Sequence, residues 1–195
     1  MKHKTFKKIL VAGLGFLAAA SLFSFGKQTN QVQAAKKSSS SLIIYFSKTG
    51  NTARAARQIQ KETGGRLLRI TPKKAYPNDY DATTRVAQSQ IRRNIHPAIR
   101  GTIPNWNQYS TIYVGFPTWW MQPPIIIHTL FDNYSFRGKT IVPFTTSMET
   151  PMSSSMPYIR KMAKSKNAKR VINGFRYGNN NAELISYLRR NKLIR

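Results

Sequence analysis

The segment Ser47-Lys48-Thr49-Gly50-Asn51-Thr52 places hydroxyl, amide and ammonium groups beside a glycine that permits a tight backbone turn. It follows an apolar run, LIIYF (42–46), and precedes residues with helical apolar spacing. A helix that begins there directs its free N–H groups and its dipole at the segment, which favours a phosphate group. A helix cap needs only one such residue, so this density of donors indicates a phosphate-binding loop.

Two other nucleotide-binding motifs do not fit the chain. There is no G-x-x-x-x-G-K-[ST] sequence, which argues against a nucleoside triphosphatase. A G-x-G-x-x-A match at residues 13–18 lies in an apolar N-terminal segment with no strand before it, and we treat it as a coincidence.

Two further loops carry polar or aromatic residues directly after apolar runs, STIYVGF (110–116) and KTIVPFTT (139–146). The adjacent tryptophans of the first loop suit the cover of a flat ligand, with packing beneath the loop as the alternative. Ligands of doubly wound sheets bind at the carboxyl ends of the strands, so all three loops are expected to form one site. The candidate contact residues are Trp119 and Trp120 in the first of these loops and Thr145, Thr146, Ser147 and Glu149 in the second.

Five apolar runs alternate with helical patterns along the chain. The predicted strands are 42–46, 66–70, 110–116, 139–146 and 169–177, and the helices lie at 51–63, 79–95, 123–134, 153–165 and 180–193. Continuous apolar strands between helices predict a parallel sheet covered on both faces, a doubly wound α/β fold. Pro143 is unusual inside the fourth run, because proline cannot donate to a strand ladder.

The first 34 residues have the organisation of a signal peptide. Lys2, Lys4, Lys7 and Lys8 precede an apolar stretch at 9–25, and Val32-Gln33-Ala34 resembles a cleavage site. A permanent anchor is the alternative, because 17 apolar residues are near the lower limit for crossing a bilayer. We therefore predict a signal peptide at 1–34, a flexible basic linker at 35–41 and one domain at 42–195, secreted or held at the cell envelope.

The net charge of the chain is +26. Five of the 32 lysines and arginines lie in the predicted signal peptide and none of the six acids does, so the remainder carries +21. Such a surface attracts polyanions, and an exported protein reaches anionic cell-wall polymer or a membrane surface more readily than nucleic acid. Charge that serves only solubility is the alternative.

No residues form a catalytic or metal-binding set. The absence of cysteine excludes disulfides, thiolate metal ligands and a cysteine nucleophile, and the six acids are scattered. His96 precedes a proline and His128 lies in a predicted helix, where single histidines are more often structural or solvated than catalytic.

The chain resembles the flavodoxin family, in particular the short flavodoxin-like flavoproteins of bacteria. The segments that carry the resemblance are YFSKTGNT, AYPNDYDATTRVAQSQ, VGFPTWWMQPP and FRGKTIVPFTTS. The resemblance implies a three-layer fold with a five-stranded parallel sheet of order 2-1-3-4-5 and non-covalently bound FMN. It also implies a role for Tyr76 and Tyr80, which lie in the second of these segments.

The resemblance assigns the candidate residues to two parts of FMN. The phosphate would be held by Ser47, Thr49, Gly50, Asn51 and Thr52, with Lys48 adding charge nearby. The isoalloxazine ring would be lined by Pro117, Thr118, Trp119, Trp120, Thr145, Thr146 and Ser147.

The third loop departs from the family pattern, because SMETPM (147–152) has no glycine and places Glu149 near an electron-accepting ring. Two functions therefore stay open. The first is an exported FMN-binding protein in electron transfer, as a carrier or a small quinone-type reductase with an unidentified redox partner. The second is a flavin-free binding module that adheres to anionic envelope polymers.

Overall fold

The predicted alternation of strands and helices is present in the structure, a computed structural model that describes residues 40–195. The predicted signal peptide and most of the predicted linker lie outside the described residues. The strands are β1 (Ser41–Tyr45), β2 (Arg66–Arg69), β3 (Thr111–Pro117), β4 (Thr140–Thr146), β5 (Arg170–Val171) and β6 (Phe175–Arg176). The helices are α1 (Asn51–Thr63), α2 (Tyr80–Arg92), α3 (Ile125–Asn133), α4 (Met156–Ser165) and α5 (Asn181–Arg190).

The strands form one parallel sheet of order β2-β1-β3-β4-β5, with β6 also paired to β4, as expected. Alternate residues of β1 face opposite layers. Ile43 and Tyr45 pack in a core with residues of α1 and α5, whereas Leu42 and Ile44 pack with residues of α3 and α4. The sheet is therefore the middle of three layers, and both of its faces are buried.

The helix ends follow local chemistry. α1 occupies the predicted span and ends at Gly64, whose left-handed φ of 65° lets its N–H bond the Gln60 carbonyl. Asp79 caps α2, because its carboxylate accepts the Ala82 N–H at 2.7 Å. α2 ends at Arg92 instead of reaching residue 95, since Asn94 adopts a left-handed φ of 48°. Among the described helices, none has the length and apolar character needed to cross a bilayer.

The fifth predicted strand is split into β5 and β6, which corrects the expectation of one continuous strand. Ile141 pairs with Val171 and Phe144 pairs with Phe175. Between these pairs, two residues of β4 (142–143) therefore face three residues of the fifth strand segment (172–174). Pro143 lies in this gap. Its backbone nitrogen faces the fifth strand but carries no hydrogen, so it cannot donate a hydrogen bond to that strand. The missing donor and the extra residue together produce the interruption.

Gly174 allows the interrupted strand to approach Pro143. A Cβ at Gly174 would lie 2.5 Å from the Pro143 carbonyl oxygen and 2.9 Å from the Met152 methyl carbon. We expect Gly174→Ala to lower the free energy of unfolding by about 1–3 kcal/mol, because a backbone oxygen cannot easily move aside. Urea unfolding measures this change.

Gly178→Ala is the matched control, because a Cβ there would have nothing within 4 Å. Its free energy of unfolding should stay within about 0.5 kcal/mol of the parent value. Equal effects of the two substitutions would contradict the proposed contact.

Candidate functional site

The loop at residues 47–52 leaves the start of α1 without a side-chain cap. Gly50 is the cap residue, and its φ of 95° is a conformation that glycine adopts readily. Its N–H donates to the Ser47 hydroxyl at 3.1 Å, which closes the turn. The first helical hydrogen bond runs from the Arg54 N–H to the Gly50 carbonyl at 2.9 Å. The N–H groups at the start of α1 therefore have no acceptor within the helix and can bind an anion.

The predicted phosphate-loop side chains divide into two groups. Ser47 and Thr52 are buried, whereas Thr49 and Asn51 are exposed and Lys48 is half-buried. The exposed side chains stand beside the uncapped helix start, where a ligand can reach them. Ser47 instead shapes the turn, and Thr52 points towards the third loop.

Buried hydroxyl groups join the three loops. The Thr52 and Thr146 hydroxyls lie 2.8 Å apart and connect the first loop to the end of β4. The Thr145 hydroxyl donates to the Phe116 carbonyl at 2.8 Å, so its single hydrogen is used and Thr118 must donate to it at 2.7 Å. The Thr118 N–H adds a bond to the Thr146 carbonyl at 3.0 Å.

This arrangement changes the role of Thr145. The residue is completely buried, so it has no surface to offer a ligand. Its predicted contact with a flat ring is replaced by a structural bond between the second and third loops. Thr146 is also buried, and its hydroxyl contacts Thr52.

The two adjacent tryptophans have different environments. Trp119 is half-buried, and its ring meets Phe46 and Tyr76 edge-on at centroid distances of 5.4 and 5.2 Å. Trp120 is 49% exposed. Trp119 thus packs against the domain, whereas Trp120 is exposed, and its contact with a ligand stays a prediction.

A two-residue turn separates them. Trp119 and Gln122 exchange backbone hydrogen bonds of 3.0 and 3.1 Å, and the central residues Trp120 and Met121 have φ values of 50° and 63°. Such a turn normally carries Asn-Gly, because both central residues need positive φ. Bulky side chains in this conformation are strained by roughly 1–2 kcal/mol each.

The third loop is held mainly through its backbone. Arg176 donates to the Ser147 and Met148 carbonyls at 3.3 and 3.1 Å, and the Ser147 hydroxyl donates to the Thr150 carbonyl. Met148 is 93% exposed. Arg176 therefore satisfies two backbone carbonyls of this glycine-free loop and helps to hold it in place.

A cavity of about 610 Å³ opens between the first and second loops and α2. This volume is within the usual range of ligand pockets, about 300–1,000 Å³. The structure brings together Lys48, Thr49, Pro117, Thr118, Trp119 and Trp120 in its wall. The cavity wall does not include the predicted third-loop residues Thr145, Thr146 and Ser147. It also does not include Gly50, Asn51 and Thr52, although these directly follow the lining residues Lys48 and Thr49 in the sequence.

The rest of the wall comes from α2 and the segment before it, and of its residues the sequence had indicated only Tyr80. Its residues are Asn78, Tyr80, Thr83, Thr84 and Ala87. The helical pattern alone does not indicate a ligand at α2. The small residues Thr83, Thr84 and Ala87 nevertheless suit a helix face that a ligand covers. Tyr80, which the resemblance had singled out, is 81% exposed at the start of α2.

Burial shifts the pKa values of several titratable side chains. Burial raises the pKa of Tyr76 to about 12, and its neutral hydroxyl donates to Gln90. His96 contacts the Asp132 carboxylate, and burial lowers the pKa of the neighbouring His128 to about 4. Within residues 40–195, no three acidic or histidine side chains are grouped as a metal site.

Comparison with known proteins gives consistent matches. The flavodoxin family model matches residues 40–181. A candidate flavoprotein from Bacteroides eggerthii DSM 20697 is 30% identical with a TM-score of 0.68, and the match covers 76% of this chain and 95% of that one. A flavoprotein from Lactobacillus acidophilus NCFM, solved in complex with FMN, is 26% identical with a TM-score of 0.62, covering 75% and 97%. No curated protein sequence shows significant similarity to this chain.

Strain in the turn predicts that glycine at position 121 stabilises the fold. Met121→Gly should raise the free energy of unfolding by about 0.5–1 kcal/mol, because relief of left-handed strain exceeds the added entropy of the unfolded chain. Met148→Gly is the control, since Met148 is more exposed and has no positive φ. Met148→Gly should lower the free energy of unfolding slightly. If urea unfolding showed changes of the same sign for both variants, strain at Met121 would be refuted.

The buried hydroxyl pair predicts coupling between two loops. Thr52→Val and Thr146→Val should each cost about 1–3 kcal/mol, because each leaves the other hydroxyl buried without its partner. The double variant should cost less than the sum by roughly 1 kcal/mol, as measured by urea unfolding. Thr49→Val, an exposed change in the same loop, should alter stability by under about 0.5 kcal/mol. Strict additivity would show that the hydroxyl pair does not connect the loops.

Proposed function

Because this chain belongs to the flavodoxin family, we propose that it is an FMN-binding flavoprotein that transfers electrons outside the cytoplasm. The observation that carries this proposal is the position of the 610 Å³ cavity, whose wall includes Lys48 and Thr49 beside the uncapped start of α1. This supports a phosphate at the helix start and a flat ring in the adjoining cavity. The Lactobacillus acidophilus relative binds FMN, which supports FMN as the ligand.

The residues present fit the two ends of FMN. The first N–H groups of α1, with Thr49, Asn51 and Lys48, supply donors and positive charge for the phosphate. Trp120 supplies an exposed aromatic surface for the ring, and Trp119 forms part of the cavity wall. When bound, FMN supplies one- or two-electron redox chemistry.

The described part of the protein provides binding and position in place of acid–base catalysis. No carboxylate or imidazole is among the described residues that line the cavity. The hydroxyls of Thr83, Thr84 and Thr118 line the cavity, and hydroxyl groups do not titrate near neutral pH. The Thr83 and Thr118 hydroxyls can accept a hydrogen bond from a ligand, because their hydrogens bond the Pro77 carbonyl and the Thr145 hydroxyl. This composition supports an electron carrier, or a reductase whose chemistry resides in the flavin, and the redox partner is unidentified.

Export is the second part of the proposal. It rests on the tripartite N-terminal sequence at 1–34 and on the basic composition of the chain. A secreted or envelope-associated flavoprotein would take its acceptor from outside the cytoplasm, and quinone-type compounds are one candidate class.

A second candidate function is adhesion to anionic cell-wall polymer or a membrane surface. The described residues include 25 lysines and arginines against six acids, and their one ion pair joins His96 and Asp132. No lysine or arginine in this part of the chain is therefore neutralised by a carboxylate. A surface of this kind attracts polyanions whether or not the protein binds flavin.

Titration with FMN distinguishes the two functions. Purified protein should quench FMN fluorescence and acquire a visible flavin spectrum. A colourless protein that leaves FMN fluorescence unchanged would eliminate the redox function. Salt-sensitive retention on an anionic matrix would then identify the adhesive function.

Asn51→Asp tests the phosphate position. A carboxylate at the start of α1 should preserve or raise stability, because it complements the helix dipole. It should weaken FMN binding at least about tenfold, or about 1.4 kcal/mol, through repulsion of the phosphate. Gln58→Glu introduces the same charge two turns further along α1 and should change FMN affinity much less. Equal affinities of the parent and Asn51→Asp proteins would place the phosphate elsewhere.

A further inference from the structure

A second cavity, of about 350 Å³, lies at the carboxyl ends of β1 and β2. It shares Lys48 and Asn78 with the larger cavity, so the two are neighbours. Its other lining residues come from β1, β2 and the segments around residues 71–76 and 100. They are Phe46, Ser47, Arg69, Thr71, Pro72, Ala75, Tyr76 and Arg100.

The charge of this cavity is one-sided. Lys48, Arg69 and Arg100 line it, and no carboxylate does. The one ion pair among residues 40–195 joins His96 and Asp132, so no carboxylate neutralises these three cations. Cations that line a concave surface without counter-charges raise the local concentration of anions.

Both guanidinium groups are held in place by backbone carbonyls. Arg69 donates to the Ser47 carbonyl at 2.7 Å, and Arg100 donates to the Lys73 carbonyl at 3.1 Å. Each group has five N–H donors, so donors remain for a ligand after these bonds. Less side-chain entropy is then lost when an anion binds, because each group is already ordered.

The backbone around the cavity is also fixed. The Arg100 N–H donates to the Thr71 carbonyl at 2.8 Å, and the Lys73 N–H donates to the Ala98 carbonyl at 2.7 Å. Pro72 and Ile99 form an antiparallel bridge between these bonds. The segment with Thr71 and the segment with Arg100 therefore keep a constant separation, and the cavity is preformed.

We propose that this second cavity binds a phosphate group distinct from the phosphate of FMN. A phosphate has the charge and the several oxygens to accept bonds from three cationic side chains, and guanidinium groups match its geometry. The apolar Pro72 and Ala75 leave room for a small organic substituent. The phosphate belongs to a small phosphomonoester or to a polyol-phosphate polymer, which share this chemistry.

Calorimetry with glycerol 3-phosphate tests the proposal on protein with and without FMN, at about 150 mM ionic strength so that diffuse attraction is screened. Binding should be saturable in both forms, and bound FMN should weaken it only in part, because Lys48 lines both cavities whereas Arg69 and Arg100 line the second alone. Arg69→Gln with Arg100→Gln should weaken it at least about tenfold. Arg100→Gln alone keeps the Arg69–Ser47 bond and should leave FMN quenching unchanged. Arg137→Gln with Arg189→Gln, two exposed arginines that line neither of these cavities, removes the same charge and should have little effect.

The outcomes separate this proposal from the proposed function. Mutually exclusive binding of glycerol 3-phosphate and FMN would place the anion in the FMN phosphate site and overturn the second site. Loss of FMN binding in the Arg100→Gln protein would do the same, and so would equal losses of glycerol 3-phosphate binding in the control. A protein that binds glycerol 3-phosphate but no FMN would support the second site while rejecting the flavin function.

A polyol-phosphate polymer distinguishes the two sources of the group. If it binds more tightly than glycerol 3-phosphate and loses that advantage in the Arg69→Gln, Arg100→Gln protein, the cavity recognises polymer. If glycerol 3-phosphate binds at least as tightly, the cavity recognises a small phosphomonoester. Either result supports a phosphate site, and failure of both probes to bind the parent protein overturns it.

Discussion

The hydroxyl contacts between loops determine the geometry of the site. Three loops leave three different strands, and each would otherwise move independently at the carboxyl edge of the sheet. The Thr52–Thr146 contact and the Thr118–Thr145–Phe116 series join all three through groups that water cannot easily reach. Buried polar groups are costly when unpaired, so any rearrangement of one loop carries a penalty for its neighbour. These bonds position the loops that form one side of the 610 Å³ cavity, and α2 with the segment before it supplies the rest of the wall.

Much of the fold could be predicted because its signals are local. Continuous apolar runs identified the buried strands, and the span of α1 followed from apolar spacing and the terminal glycines. The division of the fifth strand could not be foreseen in full. Pro143 was a visible warning, but the outcome also depends on Gly174, which lies 31 residues later and approaches the same backbone. Contacts between residues so far apart in the chain leave no periodic pattern.

The meeting of the three loops could be predicted more accurately than the positions of their side chains. Donor-rich and aromatic segments after strands predicted that the loops would meet at one edge of the sheet, and the hydrogen bonds between them show that they do. Burial of Thr145 and the different exposures of Trp119 and Trp120 depend on backbone conformation, including two positive φ values that Trp and Met rarely adopt. The α2 wall was missed because small residues in an ordinary helix give no signal until a neighbouring loop faces them.

The scarcity of carboxylates has a consequence for folding itself. With 25 basic and six acidic residues between positions 40 and 195, the compact chain repels itself, and an expanded chain relieves that repulsion. Counter-ions that gather on the folded form offset this cost, and any polyanion that prefers the folded form shifts the equilibrium towards it by mass action. The free energy of unfolding is thus partly set by the ionic surroundings. We therefore expect an anionic environment to stabilise the folded protein.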